Sequence, residues 1–61
     1  MPEIIVYCVE GRTPEQKKAL MQDLTAAMVK NFGVDTGGVT VQIVEAKKTD
    51  KMKAGVVFTE R

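Results

Sequence analysis

A chain of 61 residues with one cysteine and no histidine has no means of stapling itself, and that shortage constrains its fold more than any motif does. A domain this small buries only about 60% of the surface its unfolded chain exposes, which leaves little margin over conformational entropy. The usual supplements are disulfides, a structural metal or subunit assembly. Cys8 alone permits no internal disulfide, and the lack of histidine permits no Cys/His zinc cluster. Assembly with other chains is the supplement left. Cys8 lies in an apolar run with no histidine to activate it, so it reads as a small hydrophobe rather than a nucleophile.

Charge narrows the function classes. Nine Lys and Arg against eight Asp and Glu give a net charge of +1, which supplies no general attraction to nucleic acid or to an anionic membrane. Lys47, Lys48, Lys51 and Lys53 cluster, but no aromatic residues are interleaved with them for base stacking. The apolar stretch Ile4 to Val9 is far too short to span a bilayer, and the first residues lack the pattern of a secretory signal. Without repeats or a linker, the expectation is a single cytoplasmic domain over residues 1–61 that binds neither nucleic acid nor membrane.

Hydrophobic periodicity then divides the chain. Residues 3 to 9, rich in β-branched and aromatic side chains, predict a strand covered on both faces. Gly11 breaks the run, and Thr13-Pro14-Glu15-Gln16 carries the signature of a helix start: a capping threonine, a proline suited to the first helical position and a glutamine that closes a capping box. Leu20, Leu24, Met28 and Phe32 recur every four residues, widened by Met21, Ala27 and Val29, with Lys17, Lys18, Asp23 and Lys30 largely outside the stripe. Gly33 is placed to end a helix running from about residue 14 to about residue 32. After a turn-rich connection, Val39 to Glu45 alternates as a second strand, with Val39, Val41 and Ile43 on one face. The tail reads as a mobile polar loop from Ala46 followed by a short strand at Val56-Val57-Phe58. Strand, crossover helix and strand make a right-handed parallel βαβ unit, an α+β protomer with a short C-terminal strand or hairpin. Two strands are not a stable sheet, so the free edges call for another copy of the chain.

Standard chemistry is scarce: there is no Ser/His/Asp set, no Cys/His pair and no glycine-rich phosphate loop. The chain terminus therefore draws notice. Removal of Met1 turns the nitrogen of Pro2 into a free secondary amine at the head of an apolar strand. Apolar surroundings and nearby positive charge both disfavour the protonated amine, which moves its pKa toward neutrality, where a general base works best. Taken alone, Met-Pro is also an ordinary opening for an edge strand. Arg12, between strand and helix, is positioned to grip a carboxylate in two-point fashion with the helix amides nearby, or to be a solvated loop arginine.

The order of these features resembles the 4-oxalocrotonate tautomerase family of the tautomerase superfamily. Met1-Pro2, the apolar strand, Glu10-Gly11-Arg12-Thr13-Pro14-Glu15-Gln16-Lys17, the amphipathic helix and Val39 to Glu45 carry the resemblance over about residues 1 to 45. It implies a tautomerase/MIF-like fold assembled as a trimer of dimers, a cofactor-free site, and a terminal proline that moves a proton within a 2-hydroxydienoate while arginines hold the carboxylates. Pro2 and Arg12 match those roles. The family's second arginine falls at Thr40, which carries no charge. The aromatic residue of the following loop falls near Lys51 or Met52, and the usual Gly-Gly is Ala54-Gly55.

The implied function is a cofactor-independent isomerase acting on a small unsaturated carboxylate, with Pro2 and Arg12 as catalytic residues and Thr40 and Lys51, or Lys53, as further substrate contacts. The missing arginine leaves a monoacid substrate, a related proline-dependent hydration or dehalogenation, or a heterohexamer with a companion chain open beside the homohexamer. A non-catalytic oligomeric module follows if Met1 is retained.

Overall fold

The computed structural model describes all 61 residues. Strand β1 (Glu3–Val9) leads into helix α1 (Pro14–Phe32), which returns to strand β2 (Thr40–Ala46). β1 and β2 pair in parallel with Ile4 opposite Val41, Val6 opposite Ile43 and Cys8 opposite Glu45. The ladder is closed at its two ends by Thr40 N–H donating to the Pro2 carbonyl at 3.1 Å and Glu10 N–H donating to the Ala46 carbonyl at 2.9 Å. The second strand starts at Thr40 rather than Val39, because Val39 N–H is occupied by the carbonyl of Thr36 in a 3-10 turn over Thr36–Gly38.

The helix ends are set by the residues expected to set them. Gln16 N–H donates to Thr13 Oγ1 at 3.1 Å, and Thr13 N–H donates to Gln16 Oε1 at 3.0 Å, a complete capping box with Pro14 inside it. At the other end Gly33 adopts φ 68°, and its N–H reaches the Val29 carbonyl at 3.0 Å.

Packing departs from the expected stripe. The half-buried helical positions are Lys17, Met21, Leu24, Thr25, Met28 and Val29, whereas Leu20 and Phe32 remain 42% and 67% exposed. The helix lies chiefly over β2, so the apolar surface on its flank turns away from the protomer's own sheet. Lys17 joins the inner face because its ammonium meets Glu45 Oε1 at 3.0 Å, tying the start of the helix to the end of β2. The sheet is likewise covered on one side only: Ile4, Val6, Cys8, Val41 and Ile43 are half-buried, while Ile5, Tyr7 and Val44 on the other face stay open.

The expected polar loop after β2 is an ordered arm. A 3-10 turn (Lys48–Asp50) leads to a hairpin of β3 (Met52–Lys53) and β4 (Val56–Val57), and a last 3-10 turn covers Phe58–Glu60. The loop joining the two strands is Ala54-Gly55, with φ 55° and 80°. Positive φ at both central residues is what a two-residue hairpin loop of type I′ requires. Phe58 N–H closes the arm on the Lys51 carbonyl at 2.8 Å. The hairpin packs on its flanking turns rather than on α1 or the β1–β2 sheet.

No residue of the protomer is fully buried. Its surface is 4756 Å², against about 3900 Å² expected for a folded monomer of its mass. Its radius of gyration is 14.4 Å, against about 10.5 Å for a compact chain of this length. The excess area is comparable to what one partner contributes to a standard protein interface, about 800 Å².

Candidate active site

Pro2 is fastened by its carbonyl alone, through Thr40 N–H. A proline nitrogen has no hydrogen to offer the ladder, so this hydrogen bond positions the residue without engaging the atom that would act as a base. Met1 is 99% exposed and extends beyond the sheet. Its removal therefore costs no packing. Thr40 is beside Pro2, opposite Glu3 in the parallel register, and its side chain is exposed.

Arg12 occupies the other end of β1. It follows Gly11, whose φ of 131° turns the chain out of the strand, and precedes the capping residue Thr13. Its side chain is exposed and takes no part in the chain's one ion pair, Lys17 with Glu45. The helix amides expected to assist it are mostly occupied: Gln16 N–H is capped by Thr13, Lys17 N–H by the Thr13 carbonyl, and Pro14 has none. Anion attraction at this corner thus rests on the guanidinium more than on the helix end.

The candidates consequently split into two groups. Seven residues of β1 separate Pro2 from the Arg12 corner, about 23 Å of extended chain. Lys51 belongs to the Arg12 end, since the arm is rooted there by Glu10 N–H on Ala46 and by Lys48 N–H on Glu10 Oε2 at 3.1 Å. The charge distribution is equally lopsided. Of the basic residues only Lys30 lies toward the Pro2 end, in the last turn of α1; the rest lie in the first half of the helix or at and beyond the Arg12 corner.

The cavities agree with this division. A groove of about 410 Å³ runs between α1 and β2, lined by Pro14, Lys17, Met21, Val41, Ile43 and Glu45 among others. A second of about 230 Å³ opens between Ile4 and the helix residues Leu24, Ala27, Met28, Asn31 and Phe32. Neither is lined by Pro2, Arg12, Thr40 or Lys51.

The model of the tautomerase enzyme family matches residues 2–61, beginning at Pro2. The chain belongs to the tautomerase family. It is 56% identical over 61 residues to a probable tautomerase of Bradyrhizobium diazoefficiens, covering all of this chain and 91% of the relative. It is 39% identical over 60 residues to the 2-hydroxymuconate tautomerase of Comamonas testosteroni, covering 98% of this chain and 95% of that one. Among solved structures, a heterohexamer 4-oxalocrotonate tautomerase from Chloroflexus aurantiacus superposes with a TM-score of 0.91 at 32% identity, covering 98% of this tautomerase and 97% of the other chain. The βαβ fold with its C-terminal hairpin is therefore that of the 4-oxalocrotonate tautomerases, and the chain is an isomerase.

The resemblance read from the first 45 residues extends to the whole chain. The sequence placed Phe58 at the end of a short strand and gave Arg61 no role; the strand ends at Val57, and Phe58, in the last 3-10 turn, meets Lys51 and Arg61, with the Lys51 ammonium 5.9 Å and the Arg61 guanidinium 5.1 Å from its ring centroid. The only signal for them was an apolar patch ending in a basic residue.

Proposed function

We propose that this tautomerase, once Met1 is removed, isomerises a small 2-hydroxy or 2-oxo unsaturated carboxylic acid with the Pro2 nitrogen as general base and Arg12 as carboxylate anchor. The base takes the proton of the 2-hydroxyl, and the resulting ammonium returns a proton to a carbon of the conjugated chain. Atoms and charge balance without a cofactor. Arg12 draws electron density toward the carboxylate as the enolate forms.

The observation that carries this reading is the attachment of Pro2 through its carbonyl with Met1 free in solvent, which leaves the nitrogen available and the residue fixed. Because Pro2 and Arg12 lie at opposite ends of β1, we take each site to be shared. Antiparallel pairing of two β1 edges, each unpaired on its outer side, sets the Pro2 of one chain against the Arg12 of the other, twice per dimer. Three such dimers make the hexamer, and the exposed face bearing Ile5, Tyr7 and Val44 is the natural surface for joining them.

A second reading keeps the chemistry and changes the assembly. Thr40 is uncharged, and a companion chain in a heterohexamer, the arrangement of the Chloroflexus relative, is one way to supply a further cation. The test of the leading reading begins with the intact mass of protein from the native host, followed by 2-hydroxymuconate and phenylenolpyruvate ketonisation with the native chain and with Pro2→Ala. Met1 removed, turnover by the native chain and its loss in the variant support the proposal. Retained Met1, or an unchanged rate in Pro2→Ala, ends it.

A further inference from the structure

The arm beyond β2 carries Lys47, Lys48, Lys51, Lys53 and Arg61 against only Asp50 and Glu60. Asp50 accepts the Thr49 hydroxyl at 3.1 Å, and no carboxylate of the chain pairs with Lys51 or Arg61. Instead both cations gather on one aromatic ring, at 5.9 Å and 5.1 Å from the Phe58 centroid. The ring attracts each cation, but neither has a carboxylate to neutralise it, so the pair is open to a bound anion. The backbone supports the arrangement, since Phe58 N–H on the Lys51 carbonyl fixes the ring beside the lysine. The arm springs from the corner that holds Arg12 and packs chiefly on its own turns.

We infer that Lys51 and Arg61, docked on Phe58, form a second anion clamp that selects substrates carrying a second carboxylate. This rests on the proposed tautomerase site, in which Arg12 holds the first carboxylate. The Phe58 ring positions the two cations, and they hold the charge at the far end of the substrate's conjugated chain. Thr40 then needs no charge, because the arm supplies it. The clamp acts on binding and selectivity, leaving proton transfer to Pro2.

The test compares 2-hydroxymuconate, with two carboxylates, and 2-hydroxy-2,4-pentadienoate, with one, on the assembled native enzyme, Lys51→Met, Arg61→Gln and the double variant. Loss of a charge-assisted contact is expected to raise KM for the diacid by about tenfold per residue, with kcat little changed and the monoacid unaffected. Phe58→Leu weakens diacid binding while keeping both charges, whereas Lys51→Arg keeps the charge that Lys51→Met removes and with it the diacid affinity. Calorimetry with inert cis,cis-muconate and sorbate is the second readout, chosen so that the clamp and the activity can fail separately. If the native enzyme turns over neither substrate, the tautomerase proposal fails, and muconate binding that is lost in the double variant still supports the clamp. Equal losses for diacid and monoacid, or muconate binding indifferent to both substitutions, overturn it. Each single variant serves as the test should the double variant fail to assemble.

Discussion

At Pro2 the carbonyl anchors the residue to β2, and the nitrogen, the proposed base, is left without a structural task. A base must be unprotonated to act, so kcat/KM is expected to fall as pH drops through the pKa of the free amine. In processed Pro2→Ala the rate should fall by about two to four orders of magnitude, the usual contribution of a positioned general base. Steady-state rates across pH check both. Arg12 has no competing partner within the chain, so its removal leaves the fold untouched. Arg12→Ala is expected to cost about 1.5 to 3 kcal/mol of transition-state binding, and Arg12→Lys to restore only part of it, because an ammonium lacks the planar fork. An Arg12→Lys enzyme as active as the native one would refute two-point anchoring.

Among the elements, the helix and the hairpin show opposite degrees of local fitness. The capping box of α1 satisfies its donors reciprocally, and Thr13→Ala is expected to cost about 1 kcal/mol, read as a lower denaturant midpoint with unchanged slope. The arm tolerates a mismatch: Ala54 holds φ 55°, a left-handed conformation that costs a side chain of this kind roughly 1 to 2 kcal/mol. Ala54→Gly removes that strain at some entropic expense and is expected to stabilise the hairpin, seen as slower amide exchange at Lys53 and Val56. A faster exchange would show that the alanine is accommodated without strain.

For the whole molecule, the 4756 Å² of exposed surface and the absence of any fully buried residue make the isolated protomer an incomplete object. Its stability is expected to depend on protein concentration, with dilution lowering the midpoint of thermal unfolding as subunits separate. A midpoint constant over a hundredfold dilution series from micromolar protein would argue for a self-sufficient monomer. The proposed sharing of each site between two chains makes a sharper prediction. Pro2→Ala and Arg12→Ala chains, each strongly impaired alone, should regain activity when refolded together, since a mixed pair holds one site with both native residues. Random pairing yields up to about a quarter of the native sites. No recovery in mixed assemblies of native mass would place both residues in one protomer's site.

Much of this was written into the linear order of residues. The helix limits followed from Thr13, Pro14 and Gly33, because caps act on neighbours within four residues and need no tertiary information. The apolar runs identified both strands, and the family was recognisable from the spacing of Pro2, Arg12 and the capping block. Other features were decided by packing across many residues. Lys17 turned inward because Glu45, 28 positions away, offered it a partner, while Leu20 and Phe32 stayed outside because the helix settled over β2. Lys51, Phe58 and Arg61 met only because a tight turn at Ala54-Gly55 folded the arm back. The separation of Pro2 from Arg12 by the length of β1 likewise became visible only when the strand was drawn out in space. Periodicity and capping are local and so survive in a string of letters, whereas the pairing of distant charges depends on where the backbone takes them.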